Sequence, residues 1–537
     1  MEDSARPSPG SDHTRRRWLA RVSALVVLAF LLAYSWLPAG VSAPNERARI
    51  YLSIALVDHR TVVVDTSVQR FGKIFDLAER DGHFYSDKAP GSSFLGAAVY
   101  WPVRVFSKAS EWDINELITL MRICLMIPIG LLGVVFLRRL LRLVNVDPVA
   151  SDLAVVGWIL GSAAFHTSAA FMGHQIVAVS LIGALWLLLE AEARAPELET
   201  GRRWSTVWRC LAAGGFAGMA GFTEYQSAAP AFLISAYVLC GPLRKRPAIV
   251  GCFFAGALPF VVALMAYNNA AFGGITELSY HHLIGKQQQE IHGSGIGGVT
   301  APHWAYAHGA LFSLHRGLFT CSPLFLLVIP GVVSLWRHHG WRLASLVGLS
   351  FLCYVYFISS TQMWYAGWGF GPRLLVPALG WASIAVAAAI GSLRKNMVGA
   401  GVVVGLLAVS IGLTQSVQAV FPELPERFIN PIPDVVVPAL SQGLTAPNLG
   451  MTLFGLSGLA SLLPLAVVLT SILAWLAWRA CPAQKSILGC AGALLVSVLV
   501  FGPYLVAIRY TTVIDKPQTD SLLQWMNTLL RDEPRLK

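Results

Sequence analysis

The sequence predicts an all-α multi-pass membrane protein, on three observations. Of 537 residues, 55% are hydrophobic and only 13% charged, too few charges to cover a soluble globule of that length. The apolar residues fall in runs of about 20, the length that crosses a hydrocarbon core. The Arg and Lys behind the net charge of +11 lie largely between those runs, where cytoplasmic loops carry their anchors. That distribution argues against nucleic acid as a partner.

The elements follow from the basic clusters at 15–21, 138–142, 202–209, 244–246, 337–342, 394–395 and 479–485. With all of them inside the cell, an even number of crossings must separate each from the next. Residues 22–41 cross outward and 118–137 return. Residues 151–189 form a hairpin tipped by Phe165-His166-Thr167 and Gly173-His174-Gln175, and 207–241 a second one, interrupted by Thr223-Glu224-Tyr225-Gln226. Further outward loops are 268–314, 361–373 and 421–450, and 486–507 cross last. The sum is about thirteen transmembrane helices, with the amino terminus cytoplasmic and the carboxyl terminus outside. A competing account of the first segment is a cleaved signal peptide, since Val41-Ser42-Ala43 has the small residues of a cleavage site.

Two stretches of the first outer loop (43–115) read as helices lying in the interface: 46–57, with Ile50, Ile54 and Val57 on one face, and 93–106, short and broken at Pro102. The chain divides into a cytoplasmic basic tail (1–21), a catalytic membrane module (22–393), additional membrane helices (394–508) and an outer-face tail (509–537). The first dozen residues read as a disordered tail and 520–530 as a short terminal helix. Cys124, Cys210, Cys240, Cys252, Cys321, Cys353 and Cys490 sit inside apolar stretches without Cys-x-x-Cys spacing. Neither a disulfide framework nor a zinc site is encoded.

The chemistry concentrates in the first outer loop. It gathers Glu46, Asp58, Asp65, Asp76, Glu79, Asp81 and Asp87, followed by Lys88 and Pro90-Gly91. Carboxylates at a membrane face serve as a general base, a cation site or a solvated surface. Lys88 stands where a phosphate headgroup sits and would bind it as a point charge from a solvated loop; its plain alternative is a snorkelling lysine at an ordinary helix start. Trp364-Tyr365-Ala366-Gly367-Trp368-Gly369-Phe370-Gly371-Pro372-Arg373 joins an aromatic belt to a Gly-x-Gly-x-Gly run, which lets backbone approach a ligand. Trp368 offers a platform for a sugar face. Arg316 and Arg373 are outward arginines and candidate second cations for a lipid phosphate. Glu224 sits at a hairpin tip, either in the site or as an ordinary interfacial acid. His166, His174, His281, His282, His292, His303, His308 and His315 all fall outside, but none forms an H-x-x-x-H pair with acid partners. No cofactor is expected, a divalent metal being the lesser alternative.

Over about the first 390 residues, the arrangement resembles the GT-C superfamily of integral membrane glycosyltransferases. The likeness is to the bacterial branch with protein O-mannosyltransferases and the aminoarabinose transferase of lipid A. Pro44-Asn45-Glu46-x-x-Arg49 stands where that family has an acidic pair and an Arg. Tyr85-Ser86-Asp87-Lys88-Ala89-Pro90 resembles its acid-Lys-Pro-Pro element, and Gly367 to Pro377 a run common in bacterial members. The resemblance implies an inverting transfer of a hexosyl or pentosyl group from a polyprenyl-phosphate donor to a lipid, glycan or protein, at the outer face of a bacterial inner membrane. It places Lys88 with Arg316 or Arg373 on the donor phosphate, and Asn45, Arg49, Asp87, Glu224 and Trp368 around the substrate. The first acid of the family pair falls on Asn45, an amide that cannot act as a base. Glu46, Asp76 and Asp65 are therefore the candidate bases. A lipid-linked glycan transporter or flippase, or a polysaccharide polymerase or ligase, is the alternative.

Overall fold

The computed structural model describes residues 9–38, 41–194, 203–295, 297–481, 491–492, 494–499, 502 and 516–532. The chain is an all-α multi-pass membrane protein. Among the described residues, seven helices are long and apolar enough to cross a bilayer: Ile114–Leu143, Gly173–Ala193, Pro247–Phe272, Trp341–Ser359, Arg373–Leu393, Met397–Val420 and Gly458–Ala480. Pro148–Leu160 and Ala163–Ala169, bent by 59°, make an eighth span if counted as one. Trp18–Ala33, Tyr225–Cys240 and Ile432–Ser441 are shorter and apolar. Most of the crossing expected at 486–507, and the first eight residues of the expected tail, lie outside the described residues.

Centre and periphery are written in side-chain size. Arg373–Leu393 is 83% buried within its apolar window; its Ala, Gly and Ser residues let neighbours approach closely, and Trp381 donates its indole N–H to the Leu181 carbonyl at 2.9 Å. Pro247–Phe272, only 17% buried, turns Leu258, Val261 and Val262 outward. It still binds tightly along one line, because a Cβ at Gly256 would meet the Leu211 carbonyl oxygen at 1.9 Å and one at Gly214 the Phe253 carbonyl oxygen at 1.7 Å. The second expected hairpin is present as Arg203–Thr223 and Ala228–Cys240, with Glu224 at its tip.

The first loop is built from α2 (Pro44–Ile54), following α1 (Pro9–Ala33), then α3 (Asp65–Phe71), β1 (Leu77–Arg80), β2 (His83–Ser86) and α4 (Gly91–Phe106). Expected as an interfacial helix with one apolar face, α2 instead buries its polar residues as well: Glu46, Arg49 and Ser53 are all in the interior. Burial is possible because each finds a partner; the Ser53 hydroxyl donates to the Ser93 carbonyl at 2.9 Å and so ties α2 to α4. The hairpin β1–β2 is a feature the sequence reading lacks. Its turn is Asp81-Gly82, both at positive φ (52° and 81°), the conformation in which Asp-Gly closes a two-residue hairpin.

Candidate functional site

Lys88 stands two residues after β2 and is held between two acids. Its ammonium lies 2.7 Å from Asp87 Oδ2 and 3.1 Å from Asp76 Oδ2. Only 20% of its side chain is exposed, so the expected solvated loop is instead a walled cluster: Ser279 donates to the Asp87 carbonyl at 2.6 Å and Tyr267 to the Ser86 carbonyl at 3.2 Å. Burial disfavours the Lys88 charge, but Asp76 and Asp87 outweigh it and hold the ammonium above its ordinary pKa. Burial pushes the Asp87 carboxyl up to about 6, against the pull of Lys88.

Arg49 reaches the neighbouring acid from α2 with every nitrogen engaged. Its Nε donates to Ser92 Oγ at 2.8 Å, one terminal nitrogen to the carbonyl and side-chain oxygens of Asn45, and the other to Glu224 Oε1 at 2.9 Å. Asn45 thus fixes the arginine rather than offering a base. Burial raises the Glu224 carboxyl in spite of Arg49, Lys88 and Arg373, and His174 Nδ1 stands 3.7 Å from the same oxygen.

The glycine run comes to this region in a backbone form that needs glycine. Gly367, Gly369 and Gly371 have φ of 72°, 133° and 69°, where a side chain is strained. Arg316, buried, donates to the carbonyls of Gly369 and Gly367, and burial brings its pKa down to about 9. Both guanidinium termini are thereby spent on the loop itself. Arg373 differs: one terminal nitrogen donates to the Trp368 carbonyl at 2.7 Å, while its buried Nε has no partner. It feels the charges of Glu423, Asp76, Arg49 and Glu224. Trp368 packs at the edge of the cluster built on Phe421 and Phe428.

A second group adjoins the first. Glu46 Oε1 accepts the Phe171 N–H at 2.6 Å, and burial raises the carboxyl above its usual range despite that bond and the charges of Arg122 and Arg49. Glu423 is 2% exposed, neither of its oxygens has a hydrogen-bond partner, and His166 Nε2 stands 3.7 Å away. Burial, reinforced by the charge of Glu46, holds Glu423 well above the carboxylate range. Both acids line a cavity of about 180 Å³ with Arg122, His166 and Gln418.

The structure therefore brings Arg49, Asp76, Asp87, Lys88, Glu224 and Arg373 together, with Glu46 beside them. Asp65 is elsewhere: it accepts the Phe84 N–H at 2.7 Å and pairs with His83 at 2.7 Å, holding the hairpin. Glu423 and Arg122 were not among the residues the sequence singled out. Glu423 stands between Pro422 and Pro425 in a stretch that reads as an ordinary loop.

No known family profile and no curated protein matches the chain. Among solved structures it is similar to ArnT from Cupriavidus metallidurans, bound to undecaprenyl phosphate, at 17% identity and a TM-score of 0.47 over 90% of this chain and 77% of that one. It is also similar to the oligosaccharyltransferase AglB from Archaeoglobus fulgidus, in complex with an inhibitory peptide and a dolichol-phosphate. There the identity is 13% and the TM-score 0.47, over 97% of this chain and 60% of AglB. Likeness of that degree leaves the function to be read from this chain's own residues.

Proposed function

We propose that the chain is a GT-C-type glycosyltransferase, moving a sugar from a polyprenyl-phosphate donor to a lipid, glycan or protein acceptor. The reading places it in a bacterial inner membrane, with the first loop facing outside because the basic inter-helix clusters stay in the cytoplasm. One observation carries it: Lys88 and Arg373, from separate loops, both act on the carboxylates of Asp76 and Glu224. A lipid phosphate at the bilayer edge needs such a pair of cations, and its prenyl chain needs the apolar flank.

In the proposed step the acceptor oxygen attacks the anomeric carbon, the bond from that carbon to the phosphate oxygen breaks, and the polyprenyl phosphate leaves with the electron pair. Lys88 and the free Nε of Arg373 offset the charge that develops on the leaving phosphate. Arg49, fully engaged, positions Glu224 and Asn45. Among the three candidate bases Asp65 is committed to the hairpin and Asp76 to Lys88, which leaves Glu46 to take the acceptor's proton. A carboxylate whose proton affinity is raised by burial suits that role.

The test incubates the full chain in nanodiscs with a panel of undecaprenyl-phosphate sugars and follows release of undecaprenyl phosphate. Release with one donor, lost in Lys88→Gln, is the expected result. Translocation of the intact donor without release would make the chain a flippase instead. Cysteine labelling of the first loop from the cytoplasmic side alone would overturn the orientation and the reaction with it.

A further inference from the structure

The cavity of about 180 Å³ beside α2 shares no lining residue with the Lys88 cluster, and phosphate binding leaves it unused. Its walls come from distant parts of the chain: Glu46 from α2, Arg122 from Ile114–Leu143, His166 from the bent pair, and Gln418 and Glu423 from the far end of Met397–Val420 and the loop after it. Several polar atoms of these residues are unsatisfied, although Glu46 Oε1 accepts the Phe171 N–H. Glu423 presents two buried oxygens without a donor, His166 its Nε2 and Arg122 its Nε. Burying a carboxylate in that state is costly, and a protein retains such a cost where a ligand removes it.

The atom types define the ligand. An anion would face Glu46 and Glu423 together. A bare cation would leave Arg122 Nε without an acceptor. A hydroxyl both donates and accepts, so a polyol can satisfy Glu423, His166 and Arg122 at once. The volume is that of about six waters, room on the scale of one monosaccharide ring. The apolar part of the wall, with Val41, Ile118 and Ala169, can cover the less polar face of such a ring.

We propose that this cavity is a subsite for a neutral hydroxylated ring, a sugar unit of the acceptor or donor, with Glu423 as its hydrogen-bond acceptor. The assignment deepens the glycosyltransferase reading and rests on it for the sugar's role, but its test does not depend on turnover. Saturation-transfer NMR on the full chain in nanodiscs would use methyl glucoside, methyl mannoside and methyl galactoside, with glucosamine as the cationic probe and glucuronate as the anionic one. Signal from at least one neutral hexoside is expected, weakened severalfold by Glu423→Gln, as the loss of one buried hydrogen bond implies.

Ala169→Leu fills the cavity without touching either acid and should abolish the signal, while leaving undecaprenyl-phosphate binding at Lys88 as in the parent. A preference for glucosamine alone, no signal from any hexoside, or a signal that survives Ala169→Leu would each overturn the proposal. Hexoside binding without donor turnover would instead count against the transferase reading and leave the subsite standing.

Discussion

The two acid clusters that meet along α2 are buried alike and balanced differently. In the Lys88 cluster the ammonium has two acids within hydrogen-bond distance and Arg49 has Glu224, Arg373 Nε being the exception. Around Glu423 the oxygens have no donor at all. A paired cluster can hold charges in fixed places at modest cost, whereas an unpaired one is sustained by the rest of the fold. The first is suited to positioning cations for a headgroup, the second to receiving hydrogen bonds from a ligand.

The largest effect is expected at Lys88. Lys88→Ala removes the proposed donor-phosphate contact and also strands Asp76 and Asp87, so donor turnover should fall by about two orders of magnitude or more, with a stability loss of about 3 kcal/mol. Combining Lys88→Ala with Asp76→Asn should recover much of the stability and none of the turnover. A single variant with normal turnover would remove Lys88 from the reaction.

Arg316 comes next, because the carbonyls it holds belong to the loop that carries Arg373. Arg316→Ala should cost about 3 kcal/mol in thermal unfolding, since two charge-assisted hydrogen bonds are lost in the interior. Donor affinity should follow only as far as the loop loosens. Loss of donor binding with unchanged stability would return Arg316 to the phosphate.

How much of this was legible is clearest at the loops. The hairpin at 203–240 and its acidic tip follow from basic flanks and a polar interruption, a local signal, and Arg203–Thr223 and Ala228–Cys240 form where that signal puts them. The acid, Lys and Pro spacing pointed to Lys88, yet nothing local showed that Asp76, twelve residues earlier, folds back as its partner. Glu423 was hidden for the same reason on a larger scale. Its neighbours Glu46 and His166 are hundreds of residues away, and a polar residue between prolines reads as solvated loop. The polar face of α2 misled differently: amphipathic spacing marks a helix that has one wet side, unless a second layer of protein supplies partners for that side too.

The unpaired cluster should announce itself in the pH dependence of stability. Burial holds Glu46 and Glu423 above their unfolded values, so the folded state binds protons more tightly than the unfolded one. Their contribution is fully present below the ordinary carboxylate range and is lost as pH rises through the folded values. Asp87, pushed to about 6, adds a loss of the same sign between its ordinary value and about 6. Glu423→Gln should therefore be more stable than the parent at pH 8 and indistinguishable from it at pH 4, in denaturation scans at both. A pH-independent difference would mean that Glu423 binds its proton equally well folded and unfolded, so that burial does not hold it above its ordinary range.

The smallest effect is expected at Asp65, a candidate base by sequence that the structure assigns to the hairpin. Its oxygens accept the Phe84 N–H and pair with His83, at a site where the Asp65 side chain is 29% exposed and that of His83 57%. Exposed pairs contribute little, and an asparagine keeps the bond to the Phe84 N–H, so Asp65→Asn should cost about 1 kcal/mol or less. Turnover should stay within about threefold of the parent, since a base supplies a hundredfold or more. Glu46→Gln, measured beside it, should lose that hundredfold. The pair of variants separates two acids that one loop carries and one sequence pattern suggested equally: one turned into the bundle, the other holding a turn in the water. Should Asp65→Asn be the inactive one, the hairpin itself must move into the site during the reaction, and the base would come from the paired side of α2 and not from the unpaired one.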